Sequence, residues 1–215
     1  MKKNKKAIIF GTSGQAQVVA YLLNLDSEYE VVAFCCSAVY RESDYIFGKP
    51  LLDFEGIEKI YPPDKFEMYV SLSYTDNNKI RQRFYHEAKD LGYTLLTYIS
   101  SKTTNFAESI GDNTFIFEDN TIQPFVSIGN NVILWSGNHI GHHSIIDDNC
   151  FISSHVVVSG HCKVGANSFI GVNSTLKDGI LIGKFNILGA GCLMVKNTDD
   201  NKTYIGSKST EYVKK

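Results

Sequence analysis

From position 110 onward an aliphatic side chain returns every six residues without a break. The series is Ile110, Ile116, Ile122, Ile128, Leu134, Ile140, Ile146, Ile152, Val158, Val164, Ile170, Leu176, Ile182, Leu188 and Met194. A fixed short period is the mark of one supersecondary unit stacked on copies of itself. Glycine often follows the aliphatic residue, as at Gly111, Gly129, Gly141, Gly165, Gly171, Gly183 and Gly189. Two residues before it the side chain is mostly small or β-branched, as at Thr114, Val126, Ser144, Cys150, Cys162, Ser168 and Cys192. A strand alternates faces, so the small and aliphatic residues share one face and the residue between them points out. The other three positions turn a corner. The predicted fold for residues 100–215 is a hexapeptide parallel β-helix.

Residues 1–99 have a different rhythm. Ala7-Ile8-Ile9-Phe10 reads as a buried strand, Gly11-Thr12-Ser13-Gly14-Gln15 as a tight loop, and Ala16 to Leu25 as a helix. Glu30–Cys35 and Glu67–Leu72 read as strands, and Asn78–Leu91 as a helix ended by Gly92. Strands alternating with helices predict a small Rossmann-like parallel α/β unit. Ligands of such sheets sit beyond the carboxyl ends of the strands, and a glycine-rich loop opening a helix offers free N–H groups to a phosphate. Gly11, Ser13, Gly14 and Gln15 are therefore candidate ligand contacts, with Cys36 at the end of the second strand. Gly11-x-x-Gly14 falls short of the full dinucleotide fingerprint, and no acidic residue ends the second strand.

Composition narrows the partners. A net charge of −2 over 215 residues gives no basic field for nucleic acid or an anionic membrane. Five cysteines, an odd number, argue for a reducing compartment rather than a disulfide framework. The basic start is followed by an apolar run, Ala7–Phe10, too short for an export segment, and no run approaches a membrane span. A cytoplasmic protein is expected. Cys150, Cys162 and Cys192 fall on the inward small position and are assigned no chemistry.

The repeat resembles the left-handed β-helix of the hexapeptide-repeat acyltransferases. The resemblance implies three hexapeptides to a coil, five coils in all, and residues eighteen apart stacked about 4.8 Å from one another. Sorted this way, one outward column is apolar throughout: Phe115, Ile133, Phe151, Phe169 and Ile187. A column that tall is too large to leave in water, so it is expected to be the subunit interface of a closed homotrimer, the alternative being a cover from the same chain. The corner carrying Asp112-Asn113, Asn130-Asn131, Asp148-Asn149 and Ala166-Asn167 is expected to face solvent, with asparagine tolerating the left-handed turn.

Five of the six histidines lie between 139 and 161: His139, His142, His143, His155 and His161. His86 stands apart in a polar helical stretch. With the Gly-x-x-Gly loop and the Val195-Lys196-Asn197 tail, the whole chain resembles the bacterial sugar acyltransferases grouped with sialic acid O-acetyltransferase and the N-acetyltransferases of nucleotide-linked 4-amino sugars. In that family the catalytic histidine follows the aliphatic position by two, which matches Ile140-Gly141-His142. The acidic residue expected next is replaced by His143. The resemblance implies acetyl transfer from acetyl-coenzyme A to the amino group of a nucleotide-linked deoxyamino sugar, of the 4-amino-4,6-dideoxy kind, for a bacterial surface glycan. It places the sugar's diphosphate at the Gly11–Gln15 loop.

Such a transfer needs a base for the attacking nitrogen and a donor for the oxyanion. Imidazole, with a reference pKa of about 6.5, suits the first task. Stacking by eighteen puts Gly160 over His142 and makes its N–H the candidate oxyanion donor, and sets His143 beside His161. An orienting carboxylate is sought at Asp147 or Asp148. By resemblance the coenzyme would run past main-chain groups at Gly160, Ala166, Ile170, Lys184 and Gly189, and Trp135 would border the cleft or pack beneath it. The family's usual tail ending is replaced by Gly206-Ser207-Lys208-Ser209. No metal is expected. The alternatives are a sugar O-acetyltransferase using the same base and, less favoured, a zinc hydratase on the same fold.

Overall fold

The computed structural model describes residues 2–207; Lys208 and Ser209 of the tail lie outside the described residues. The front unit runs β1 (Lys5–Phe10), α1 (Gly14–Asp26), β2 (Tyr29–Cys36), β3 (Tyr45–Ile46), β4 (Lys49–Asp53), β5 (Glu67–Val70) and α2 (Lys79–Asp90). Its sheet has the order β3-β4-β2-β1-β5, parallel except where β3 pairs antiparallel with β4. The β3–β4 hairpin lies outside the elements read from sequence. Phe47 and Gly48, at φ 49° and 74°, form its two-residue turn, and left-handed backbone at both turn positions matches strand twist. Ala7, Ile8, Ile9, Val31, Ala33, Met68 and Tyr69 are fully buried at the centre of the sheet.

From Tyr98 the chain winds as a left-handed parallel β-helix of two-residue strands in three parallel sheets. The register is eighteen on every face: Ile133 pairs with Phe151, Thr121 with His139, and Ser127 with Ile145. We call the face of Phe115, Ile133 and Phe151 the first, that of Thr121 and His139 the second, and that of Ser127 and Ile145 the third. The aliphatic series fills the tube: Ile116, Ile122, Ile140, Ile152, Ile170, Ile182 and Leu188 are all fully buried in one cluster.

The apolar outward column is not an interface between chains. Phe115, Ile133 and Phe151 share a buried cluster with Ala7, Ile9, Phe34 and Tyr69 of the front unit. Phe115 stacks on Tyr98 at 4.4 Å, and Tyr74 covers Phe151 and Phe169 at 5.2 and 4.5 Å between ring centroids. Only the far end emerges, with Ile187 at 37% exposure. The front unit covers the column because its own sheet has an apolar face needing a partner of this height.

The asparagine corner, expected in solvent, is also buried. Asn113, Asn131, Asn149 and Asn167 adopt the left-handed turn, with φ between 50° and 62°, yet all are buried. Their amides form a ladder, Asn113 Nδ2 to Asn131 Oδ1 and Asn131 Nδ2 to Asn149 Oδ1, each 2.7 Å. Val70 N–H donates to Asn113 Oδ1 at 2.8 Å, which joins β5 to the ladder. Helix α2 lies along this corner and sends Arg81 into it. The guanidinium is fully buried and donates to the carbonyls of Asn131, Asn149 and Cys150 at 3.2, 2.8 and 3.2 Å, and to Asn78 Oδ1 at 2.9 Å. Burial pushes its pKa down to about 10, so it stays protonated at neutral pH and its charge is met by carbonyl dipoles.

Removing Arg81 would strand several buried carbonyls at once. Arg81→Leu is expected to lower unfolding stability by at least about 3 kcal/mol, while Arg83→Leu on the exposed side of α2 stays within about 0.5 kcal/mol of the parent. Urea unfolding of both variants checks this, and equal midpoints would refute it.

Candidate functional site

The five clustered histidines separate by their place in the repeat. His139 points outward from the second face, and His155 turns the corner between the first and second faces. His142, His143 and His161 gather at the corner between the second and third faces, all exposed. His143 and His161 occupy the same corner position one coil apart, both left-handed at φ 58° and 56°. Their rings stack at 4.8 Å with 18° between planes. Phe125, one coil earlier, lies 4.7 Å from the other side of His143, so the His143 ring is held between two others. His86 is exposed on α2, apart from this group.

His142 meets its neighbour edge-on. Its Nδ1 lies 3.1 Å from His143 Nδ1, a hydrogen bond that needs one nitrogen protonated and the other bare. The main chain of His142 is tied down by its N–H to Gln123 Oε1 at 2.9 Å and by its carbonyl, which accepts from His161 N–H at 2.9 Å. The far edge of the ring faces Gly160. A Cβ on Gly160 would stand 2.8 Å from both Cε1 and Nε2 of His142. Gly141 is equally constrained, since a Cβ there would fall 2.5 Å from Gly160 N. Two glycines thus open a notch in which His142 Nε2 and the Gly160 backbone stand side by side.

The carboxylates are not where they were sought. Asp147 pairs with Lys163 at 3.3 Å and Asp148 accepts from Asn130 N–H at 2.7 Å, both at the asparagine corner. The acid near His142 is Asp178, two coils on, whose Oδ1 lies 3.0 Å from the same built Gly160 Cβ. Stepping eighteen twice from His142 passes through Gly160 and reaches Asp178, so the signal is present in the sequence.

The glycine loop has its own cleft, of about 510 Å³, between the start of α1 and the corner joining the first and second faces. Ser13, Gly14 and Gln15 line it with Tyr74, Trp135, Phe151 and Ser153. Gly11 is a packing glycine: φ is 131° and a Cβ would lie 2.5 Å from the Ser71 carbonyl oxygen. Gly14 has nothing within 4 Å of a built Cβ and faces open space. Ser13 is the N-cap of α1 but its hydroxyl makes no capping bond, which leaves the first-turn N–H groups free. The buried Gln15 Nε2 has no hydrogen-bond partner among the described residues. Cys36 is not in the cleft. It is buried in the apolar cluster, its thiol pushed up by burial, and its carbonyl accepts from Phe54 N–H at 2.8 Å. Trp135 both borders the cleft and stacks on Phe117 at 4.3 Å.

The positions assigned to the coenzyme are spread over three corners. Ala166 and Lys184 share a groove of about 350 Å³ on the third face. Gly160 is at the histidine corner and Gly189 at the corner between the first and second faces. Ile170 is fully buried in the tube, so only its main chain is available. Cys150, Cys162 and Cys192 are buried and unpaired, as are Cys35 and Cys36. No helix among the described residues is long and apolar enough to cross a membrane.

Residues 126–160 match the model of the bacterial transferase hexapeptide, six repeats. The fold is similar over nearly its whole length to the acetyltransferase domain of PglB from Neisseria gonorrhoeae, with 26% identity, TM-score 0.84, and 94% and 97% of the two chains covered. A mutant perosamine N-acetyltransferase from Caulobacter crescentus, in complex with CoA and GDP-perosamine, superposes with TM-score 0.84 at 22% identity over 94% and 93%. WeeI from Acinetobacter baumannii gives TM-score 0.72 at 19% identity over 94% and 97%.

The two loop glycines should respond differently to the same change. Gly11→Ala is expected to cost about 1–3 kcal/mol through backbone strain and collision with Ser71, whereas Gly14→Ala leaves thermal stability unchanged or slightly raised. Paired thermal melts decide it, and equal losses at both sites would contradict the assignment.

Proposed function

We propose that this hexapeptide-repeat chain belongs with the bacterial sugar acyltransferases and is an acetyl-coenzyme A-dependent N-acetyltransferase. Its acceptor is the amino group of a nucleotide-linked deoxyamino sugar, of the 4-amino-4,6-dideoxy kind, destined for a surface glycan. The observation that carries the reading is the His142 ring, braced at Nδ1 by His143 and open at Nε2 onto the Gly160 notch. The whole-length likeness to an acetyltransferase domain agrees with it, as does the CoA and GDP-perosamine held by a similarly folded protein.

The chemistry follows from the tautomer. If His142 Nδ1–H donates to His143 Nδ1, Nε2 keeps its lone pair on the side of the notch. As the substrate nitrogen attacks the thioester carbon, a C–N bond forms and Nε2 takes the proton from nitrogen. The carbonyl oxygen becomes an oxyanion beside the Gly160 N–H. Collapse breaks the C–S bond, and the imidazolium returns its proton to the departing thiolate. His143 does the work of the missing acid, its Nδ1 accepting the hydrogen bond that fixes ring and tautomer. The Asp178 carboxylate stands across the notch from the ring.

The glycine-loop cleft, bordered by Ser13, Gly14 and Gln15, takes the nucleotide diphosphate at the free N–H groups of α1, with Gln15 Nε2 as a further donor. Gly11 shapes that loop by packing. Coenzyme A lies along the third face from Gly160 towards Ala166 and Lys184, where a cationic side chain meets its phosphates. In one chain the cleft and the histidine corner lie at opposite ends of the second face, which favours a site completed between copies. We propose a closed oligomer as the working unit, most simply a trimer, with the histidine corner of one chain against the glycine loop of the next. The unpaired thiols fit a cytoplasmic setting.

Thiol release from acetyl-coenzyme A, measured with nucleotide-linked 4-amino sugars and with their hydroxyl counterparts, tests the activity; release with hydroxyl acceptors alone would overturn it. His142→Ala is expected to lower kcat by about 10²–10⁴ with the fold intact. His143→Ala should lower it by about 10–100-fold, and His143→Glu should recover most of the loss. Equal loss in both His143 variants would argue against an orienting role.

Mixing inactive chains tests the shared site. A Gly14→Asp chain, blocked in its cleft, and a His142→Ala chain are refolded or exchanged together in equal amounts. Random assembly should restore roughly a quarter of the parent rate if each site draws on two chains; no recovery in verified mixed oligomers would place the site within one chain.

A further inference from the structure

The histidine corner has a second capacity, independent of proton transfer. One nitrogen from each of His142, His143 and His161 lies within 4.8 Å of the other two, on three exposed side chains. Zinc bound at 2.0–2.1 Å in a tetrahedral shell sets its nitrogens about 3.3 Å apart. The His142 and His143 Nδ1 atoms, at 3.1 Å, already stand at that spacing. The third nitrogen has at most about 1.5 Å to close, within reach of a rotamer adjustment of an exposed ring. The backbone beneath is preset: His143 and His161 share the left-handed corner position on adjacent coils, and His161 N–H is bonded to the His142 carbonyl at 2.9 Å. His142 is turned perpendicular to both neighbours, at 89° and 87°, so its Nδ1 points into the group rather than along the stack.

We infer that His142, His143 and His161 form a site for a divalent transition metal, and that its occupation switches His142 off as a base. Three imidazoles without a carboxylate select Zn²⁺, Ni²⁺ or Cu²⁺ over Mg²⁺ or Ca²⁺, and leave a fourth position to water. The switch follows from proton bookkeeping and rests on the acetyl-transfer reading. A metal on Nδ1 of a neutral His142 moves that proton to Nε2, and the lone pair facing the Gly160 notch is gone. Zinc here is an inhibitor, in contrast to a hydratase, where it would carry the reaction.

The test starts from metal-stripped full-length protein titrated with ZnCl₂ by calorimetry. One ion per chain is expected, with at least tenfold weaker binding in His161→Ala, no change in His155→Ala at the other corner, and no heat from MgCl₂. Sub-stoichiometric binding, or equal affinity in His161→Ala and the parent, would overturn the site. In the thiol-release assay zinc should inhibit the parent with a midpoint at its measured Kd, reversed by EDTA, and His161→Ala should need at least tenfold more. Zinc bound at one per chain with the rate untouched would overturn the switch. Absence of thiol release from the metal-free protein would count against acetyl transfer alone, because calorimetry reads the site without it.

Discussion

Everything in this molecule depends on the eighteen-residue register of its coil. Main-chain hydrogen bonds run from each turn to the next, as in Phe115 N–H to the Val132 carbonyl and Ile133 N–H to the Cys150 carbonyl. Each side chain is therefore set over its counterpart one coil away. Like stacks on like, and a local choice of residue becomes a column. Aliphatic residues give the core, asparagines an amide ladder, aromatic residues a hydrophobic wall, and histidines a stack of rings. Glycine in a column leaves a gap, and the gap at Gly160 exposes His142 to whatever occupies the notch.

The second dependence is between the two units. The β-helix presents a wall and a ladder that are both unsatisfied on their own, one apolar and one polar. The front unit answers each separately: its sheet and Tyr74 cover the wall, while Arg81, Asn78 and Val70 bond the ladder. Helix α2 serves both units: Phe84, Tyr85 and Ala88 pack into the apolar core of the front unit, while Arg81 reaches the polar corner. The chain is thus two folding patterns, each with a core of its own, joined by a shared apolar cluster, and α1 opens at the seam beside the cleft.

How much of this was legible follows from what is local. The six-residue period marks every strand of the coil, because each hexapeptide carries its own strand and corner. The left-handed asparagines were legible for the same reason. What covers a column is not local. An apolar wall reads the same whether another chain or its own front unit lies against it, and the deciding residues, Tyr69, Tyr74 and Arg81, are 46 to 95 positions from the residues of the coil they meet. The β3–β4 hairpin was missed because two- and five-residue strands around Lys49-Pro50 carry no run long enough to show a period. In the candidate site, five histidines sorted to three places by their position in the hexapeptide. That arithmetic was available, as was Asp178 at twice the coil length from His142, whereas the unpartnered Gln15 amide needed the packing around it.

The exchange of an acid for His143 changes the character of the site. A carboxylate beside a catalytic imidazole contributes charge and so stabilises the imidazolium that forms. A neutral imidazole contributes geometry and leaves the charge to be met from elsewhere. Under the proposed reading His143, clamped between Phe125 and His161, would fix the tautomer, while the Asp178 carboxylate stands across the notch. The exchange has a chemical consequence that a carboxylate would not carry to the same degree. Three imidazoles at one exposed corner can serve a borderline metal as ligands as well as they serve a proton as partners. On the proposed reading, the geometry that poises His142 as a base is also the geometry that would let a metal compete for it.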